Sequence, residues 1–204
     1  MKKLLHSVLF CGALAASLFV FTLFSDRQAL QQELIRLHVV ADSDEPEDQA
    51  VKLKVRDAVL ESIREGMESA ASAEEAKQYL TDNLPKIQKA ANDTLKALGC
   101  EDCALVSLCK EAFDKRVYDT FSLPSGIYEA LRITIGDGEG HNWWCVAFPT
   151  LCVPAVSEGM EAVAADAGLS QSLRGAMTGR YELRFYLLDL LGRLQTQGKN
   201  GSVR

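Results

Sequence analysis

The sequence lacks the basic surface that a nucleic-acid-binding protein needs. Its 204 residues include 22 lysines and arginines against 28 aspartates and glutamates, which gives a formal net charge of -6 at pH 7. Binding to a phosphate backbone depends on clustered Lys and Arg side chains, and the chain shows no such cluster. We therefore exclude DNA and RNA as partners.

The sequence motifs of phosphate and zinc sites are incomplete. The glycine-rich stretch 136–140 lacks the lysine and the following serine or threonine of a phosphate-binding loop, so it indicates a turn. Cys100 and Cys103 have the spacing of a zinc knuckle and Cys109 offers a third sulfur, but a second CxxC pair is missing. A local disulfide or reduced thiols explain these cysteines better than zinc. We expect neither a metal ion nor a cofactor.

The clearest positive signal is an apolar segment at positions 4–24 that follows Lys2 and Lys3. Its length is about that of a bilayer crossing. The two lysines predict that the N-terminus stays in the cytoplasm and that the rest of the chain is exported. Leu23 and Phe24 are large where a signal peptidase requires small residues, so we favour an uncleaved anchor over a cleaved signal peptide.

The remaining composition, 48% hydrophobic and 25% charged, is that of an ordinary globular domain. No internal repeat is visible. We divide the chain into a signal peptide or anchor at 1–27, a tether at 28–33, a single extracytoplasmic domain at 34–197 and a flexible tail at 198–204. Helices followed by consecutive strands favour the α+β class, with the helices packed on a mainly antiparallel sheet.

The first elements of this domain follow from hydrophobic periodicity. A strand is predicted at 34–41, where Arg36 and His38 alternate with branched apolar residues. Asp44 and Glu47 have the spacing of a helix cap and predict a helix over 46–65, which Gly66 would end. Val51, Val55, Val59 and Ile63 mark the face of this helix that should pack on the sheet.

A second helix should begin after Ser72, which forms a capping pair with Glu75, and run to Gly99, with Pro85 kinking or dividing it. Four short β-prone runs follow at 104–110, 117–123, 128–135 and 143–148, and the short turns between them predict antiparallel pairing. Towards the C-terminus the pattern suggests a helix at 158–167, a strand at 181–185 and a last helix ending near 195.

Two stretches of the chain resemble the stage II sporulation protein R family. The first is RLHVVADSDEPEDQ at 36–49, which continues into VKLKVRDAV at 51–59. The second is LPSGIYEALRI at 123–133, which continues through Gly136 and Gly140 to NWWCV at 142–146 and to Cys152. Asp42 departs from the family pattern, which has Asn there, and the cysteines between 100 and 109 lie outside that pattern.

The resemblance implies an intercompartmental messenger of endospore formation and not an enzyme. Such a protein is made in the forespore and exported across the forespore membrane into the intermembrane space. There it is sensed by a membrane-embedded aspartic protease of the mother-cell membrane, which then removes the pro-sequence of sigma factor E. The resemblance supplies no catalytic residues. The membrane would be contacted only through positions 4–24, either cleaved or retained as an anchor.

The candidate partner-binding residues are Trp143, Trp144, His38, Asp42 and Asp44. Adjacent residues of a strand point to opposite faces, so one tryptophan can pack inside while the other meets a partner. An exposed tryptophan is a common anchor of protein interfaces. The simpler alternatives are that both rings are buried and that the carboxylates only stabilise the start of a helix.

Cys145 and Cys152 flank a turn at Pro149 and are candidates for a disulfide in the exported compartment. A competing hypothesis is an anchored hydrolase that uses Cys145 as nucleophile and His141 as base, or the acidic cluster near His38. A Cys145 that is exposed and touches His141 would favour the hydrolase. A Cys145 bonded to Cys152 would exclude the nucleophile.

Overall fold

A computed structural model describes residues 2–117 and 122–149, which form an α+β arrangement, as predicted. The elements are α1 (Lys2–Glu33), β1 (Ile35–Val40), α2 (Pro46–Ser69), α3 (Ala73–Ala97), β2 (Ala104–Phe113), β3 (Arg116–Val117), β4 (Ser122–Leu123), β5 (Gly126–Ile135) and β6 (Asn142–Phe148). The elements predicted at 158–195 and Cys152 lie outside the described residues.

The main sheet is mixed, with the strand order β2-β5-β1-β6. β1 runs parallel to β5 and antiparallel to β6, and β2 runs antiparallel to β5. The predicted pairing of successive strands is wrong for β5 and β6, because β1 lies between them. All six residues of β1 are buried, as expected for a central strand covered on both faces. β3 and β4 form a separate two-stranded sheet.

Helices α2 and α3 cover one face of the main sheet. Val55, Val59 and Ile63 of α2 are buried as predicted, and Val51 is partly buried against the same cluster. We call this helix-side core the first cluster; from the sheet it includes alternate residues of β1, β5 and β2. Full burial of one such aliphatic side chain contributes about 1.5–3 kcal/mol, so this face accounts for much of the stability.

The predicted end of α2 at Gly66 is wrong, since the helix continues to Ser69. A Cβ atom at Gly66 would lie 2.1 Å from the Tyr79 ring of α3. The glycine therefore lets the two helices approach closely and does not terminate α2. α3 is one helix through Pro85, so the predicted division is also wrong.

The two predicted helix caps have different outcomes. Ser72 caps α3 as expected, because its hydroxyl accepts a hydrogen bond from the Glu75 N–H at 3.2 Å. The cap predicted from Asp44 and Glu47 is wrong: Glu45 is the N-cap residue of α2, and no side chain makes a cap hydrogen bond there. Asp44 binds a distant loop instead.

Helix α1 is continuous from the apolar segment into the domain. Its stretch Lys3–Thr22 has a mean hydropathy of 2.1 and none of it is buried, so it is long and apolar enough for a membrane span or a signal sequence. Residues 28–33, which we expected as a tether, are the last turns of this helix. Leu30, together with Leu34, is buried in a second cluster with Phe113, Leu123 and Tyr128 on the other face of the sheet.

Candidate interaction site

The sheet face opposite α2 and α3 carries the polar residues of the central strand. In β1, Leu37 and Val39 face the first cluster, so Arg36 and His38 point the other way. The Arg36 guanidinium lies 4.0 Å from the centre of the Phe113 ring. Polar side chains in the middle of a sheet need hydrogen-bond partners, and those of His38 come from the two edge strands.

His38 is 5% exposed and both of its ring nitrogens contact oxygen atoms. Nδ1 lies 2.9 Å from Glu111 Oε2 on β2, and Nε2 lies 2.7 Å from Asn142 Oδ1 on β6. The imidazole stacks on Trp144, with 5.5 Å between ring centres. His38 therefore ties both edge strands of the main sheet to its centre, and its position and orientation are fixed by its neighbours.

Glu111 is the charged centre of this group. Its Oε1 accepts a hydrogen bond from Arg132 Nη1 at 3.0 Å. Burial acts to raise the pKa of Glu111, but the hydrogen bond and charge of His38 and the charges of Arg132 and Arg36 outweigh it, so the pKa is lowered. The carboxylate is thus held in its ionised form.

The two tryptophans occupy opposite faces of β6, as their adjacency predicts. Trp143 is 37% exposed, and the Arg56 guanidinium of α2 lies 4.3 Å from its ring centre. Trp144 is partly buried between His38 and Arg116, whose guanidinium lies 3.7 Å from the ring centre. Cation–π contacts of this kind orient a ring. Trp143 presents an oriented, accessible aromatic surface beside α2, whereas Trp144 packs into the sheet.

Asp42 and Asp44 bind the loop 136–141, and we call the two segments 41–44 and 136–141 the clasp. Asp42 Oδ1 accepts a hydrogen bond from Asp137 N, and Asp44 Oδ1 accepts one from His141 N, each at 2.6 Å. Asp44 also contacts the His141 ring. The clasp fixes the loop that leads into β6 and therefore positions Trp143.

Lys52 completes the clasp from α2. Its Nζ donates a hydrogen bond to the His141 carbonyl oxygen at 2.8 Å. Burial lowers the pKa of Lys52, and the nearby charge of Asp44 acts against that shift. Lys52 was not predicted from the sequence, and neither were Glu111, Arg132 and Asn142 around His38. The β-prone run predicted at 104–110 stops before Glu111, which lies in β2 because the strand continues to Phe113, and nothing in the sequence aligned that strand with His38.

The structure separates the residues of the hydrolase hypothesis. Cys145 is buried in the first cluster, opposite Leu37, while the His141 side chain is exposed and contacts Asp44. The second form of the hypothesis, an acidic cluster acting with His38, also fails to assemble. Asp42 and Asp44 bind the loop 136–141, and the carboxylate that contacts His38 is Glu111. These surroundings give Cys145 no exposed position for nucleophilic attack.

The other cysteines fit reduced thiols. Cys100, Cys103 and Cys109 are free, and burial raises the pKa of the Cys100 and Cys109 thiols, which disfavours the thiolate that zinc requires. Within residues 2–117 and 122–149, no group of three or more His, Cys, Asp or Glu side chains could hold a metal ion. Cys145 is not one of the free cysteines, and its pairing with Cys152 stays a prediction because Cys152 is not described.

Comparison with known proteins gives a family match over most of the described domain. The family profile described as stage II sporulation protein R (spore_II_R) matches residues 31–158. The stage II sporulation protein R of Bacillus subtilis (strain 168) is 39% identical over 130 residues, which are 64% of this chain and 58% of the relative. The match thus spans little more than half of that relative's length. No solved structure matches the chain significantly. The profile covers more than half of the sequence, and the chain belongs to the stage II sporulation protein R family.

Proposed function

We propose that this protein is an exported signal of endospore formation that activates a membrane-embedded aspartic protease of the mother-cell membrane. The activated protease removes the pro-sequence of sigma factor E. The observation that carries the proposal is the family match over residues 31–158, which includes the clasp and all strands of the main sheet. The protein itself performs no chemistry in this scheme; the protease does.

The N-terminal helix supports the route of export. Lys3–Thr22 suits either a signal sequence or an anchor in the forespore membrane, and Lys2 and Lys3 favour a cytoplasmic N-terminus. The domain after it then lies in the intermembrane space. A ligand in that space acts by binding the active state of the protease more tightly than the idle state, which shifts the population towards activity.

The surface we assign to the protease is centred on Trp143, whose ring is accessible and held by Arg56. Trp144 and His38 support β6 from the other side of the sheet, and Asp42 and Asp44 hold the loop that precedes it. In this proposal Trp143 makes the contact with the protease, and the other four residues set its position without forming part of the contact surface. This division of roles is what interface anchors require.

The proposal is tested by coexpressing this chain with the cognate protease and pro-sigma factor E in a host without sporulation proteins. Processing of pro-sigma factor E is scored by the size of the product on a blot. We expect processing only when the chain is present with an intact 4–24 segment. Equal processing without this chain would contradict the proposed role, and processing in a host that lacks the protease would assign the proteolysis to the chain itself.

We further propose a disulfide between Cys145 and Cys152 in the exported domain. The burial of Cys145 and the oxidising character of exported compartments support it. We expect the exported protein, alkylated without reduction and digested, to give one linked peptide containing both residues, which separates after reduction. Alkylation of both thiols in the native exported protein would contradict the pairing.

A further inference from the structure

Strand β2 is one edge of the main sheet, and β6 with Trp143 is the other. β2 pairs with β5 along its whole length, from Ala104 opposite Ile135 to Phe113 opposite Gly126. In an antiparallel strand each residue turns its N–H and C=O groups to one side, and that side alternates along the chain. Half of the backbone groups of β2 therefore point away from β5.

Two side chains of α3 show which residues of β2 face outwards. Asn92 Oδ1 accepts a hydrogen bond from Ala104 N at 2.8 Å, and Asn92 Nδ2 donates one to Ala104 O at 3.2 Å. Gln88, one turn earlier in α3, accepts a hydrogen bond from Val106 N at 3.2 Å through Oε1. The even-numbered residues are therefore the outward ones. At this end of β2 the two amide side chains take the place of a neighbouring strand.

This protection covers only the start of β2. One turn further towards the start of α3 the corresponding residue is Leu84, which has no hydrogen-bonding group and packs against the first cluster. The outward residues that follow are Leu108, Lys110 and Ala112. Among the described residues, no strand lies beyond this edge and no hydrogen bond reaches the outward backbone groups of these three. Lys110 and Ala112 are also exposed, so residues 108–112 form an open edge.

An open edge is a template for one more strand, and its charges determine which strand fits. Antiparallel pairing of all three open residues with those of a second copy of the chain would place the two Lys110 side chains directly opposite each other. Like charges in that position destabilise a pair of strands. A second copy is therefore a poor occupant of this edge.

Lys110 favours an acidic neighbour instead. Its side chain is 68% exposed, and its Nζ lies 3.8 Å from Glu129 Oε1, an oxygen that Lys77 Nζ approaches to 2.9 Å. The two lysines thus share one carboxylate, and Lys110 has the weaker share. We propose that residues 108–112 bind an extended acidic segment of a partner protein, which adds a fifth strand to the main sheet and places a carboxylate beside Lys110. In strand addition the main-chain hydrogen bonds supply affinity and the side chains supply specificity.

Hydrogen exchange tests the open edge without a ligand. In the full chain in detergent micelles, the amides of Leu108, Lys110 and Ala112 should exchange about tenfold faster or more than those of the inward-facing residues Cys109 and Glu111. Equal protection of all five amides would mean that another part of the chain already covers this edge, and the proposal would fail.

The charge preference is measured by calorimetry with two blocked peptides, acetyl-Thr-Val-Glu-Val-Thr-amide and its counterpart with Lys in place of Glu. We expect the Glu peptide to bind about fivefold more tightly or better, because opposite charges on adjacent strands attract. Lys110→Gln should abolish this preference. Lys89→Gln is the matched control, since Lys89 is an exposed α3 lysine paired with Asp93, and it should keep the preference. Equal affinities, or no binding at millimolar concentrations, would overturn the proposal.

The backbone contribution is tested by Ala112→Pro, which removes one outward N–H and leaves the hydrogen bonds to β5 in place. The Glu peptide should bind this variant about tenfold more weakly or worse, and it should bind Ala112→Ser as it binds the wild type. If Ala112→Pro does not fold, N-methylated Glu peptides give the same information. Methylation of one alternate set of amides should abolish binding and methylation of the other set should not, because only one set faces β2. Equal effects of both sets would exclude binding as a strand.

Sedimentation of the chain without peptide tests the alternative occupant. We expect no dimer that depends on this edge. A dimer of the wild type that Ala112→Pro prevents would assign the edge to a second copy and overturn the proposal. The edge lies across the sheet from Trp143, and none of these measurements uses the protease, so a failure here leaves the proposed activating role intact.

Discussion

Trp143 and Trp144 are adjacent in β6, yet an arginine from a different element lies over each ring. Removing the Trp143 ring should leave the fold intact and weaken the proposed contact with the protease. We expect Trp143→Ala to lower pro-sigma processing about tenfold or more, as for an interface anchor, with a smaller loss of stability than Trp144→Ala causes. Leu105→Ala is the control, since Leu105 is 64% exposed on the opposite edge strand.

Trp144→Ala should behave differently, because its ring packs against His38. We expect a loss of about 2–4 kcal/mol in the free energy of unfolding, measured by urea denaturation. Processing would then fall together with the amount of folded protein. If Trp143→Ala destabilised the domain as much as Trp144→Ala, the assignment of Trp143 as a surface anchor would be wrong.

The ionisation of Glu111 should make the stability of the fold depend on pH. Its pKa is lower in the folded state than in the unfolded chain, so its ionisation stabilises the fold above the unfolded value of about 4.3. That contribution is lost as the pH falls through the folded pKa. In urea denaturation at pH 7, the free energy of unfolding of the wild type should exceed that of Glu111→Gln. This gap should narrow below about pH 4. A gap that is constant down to pH 2 would show that charge is not its source.

Among the elements, the clasp depends on glycines of the loop 136–141. Gly136 has φ of 55°, and a Cβ atom there would lie 2.0 Å from Asp42 Oδ1. Gly99 has φ of 73°, but a Cβ atom there meets nothing within 4 Å. Gly99→Ala should therefore lower the free energy of unfolding only by the backbone strain of about 1–2 kcal/mol. Gly136→Ala should lower it by more.

The difference between these two alanine variants isolates the collision with Asp42 from the backbone strain. Urea denaturation measures both losses. In the double variant Asp42→Ala with Gly136→Ala, the extra cost of Gly136→Ala should decrease, because the colliding carboxylate is gone. An equal cost in both backgrounds would mean that Asp42 does not hold the loop.

Elements were easier to predict from the sequence than their arrangement. The alternation in β1 and the apolar stripe of α2 identified a strand and a helix, because each pattern records a local burial requirement. The sequence spacing of Asp44 and Glu47 equally suits a helix cap, and only the fold shows that Asp44 binds His141 instead. The contact of His38 with Glu111 likewise depends on β5 lying between β1 and β2, which no local pattern encodes.

On the scale of the whole molecule, α1 joins the apolar segment at positions 4–24 to the folded domain without a break. Leu30 on α1 and Leu34, just past the end of the helix, are both buried in the second cluster, so the last turn of the helix belongs to the core. Deleting residues 2–27 should leave a domain that folds. Deleting residues 2–34 removes both buried leucines and should lower the free energy of unfolding by at least about 4 kcal/mol. That loss is comparable to the whole stability of a small domain.

Point variants test the same conclusion in the full chain. Leu30→Ala should lower the free energy of unfolding by about 2–4 kcal/mol, because it removes a buried side chain, whereas Leu9→Ala on the exposed part of α1 should not change it. Hydrogen exchange of the α1 amides in detergent tests whether the end of the helix belongs to the domain. The amides of residues 28–33 should exchange as slowly as those of the domain, and not at the rate of the apolar segment. Rapid exchange of residues 28–33 in the folded protein would instead support the tether expected there, and the domain would then move independently of the apolar segment.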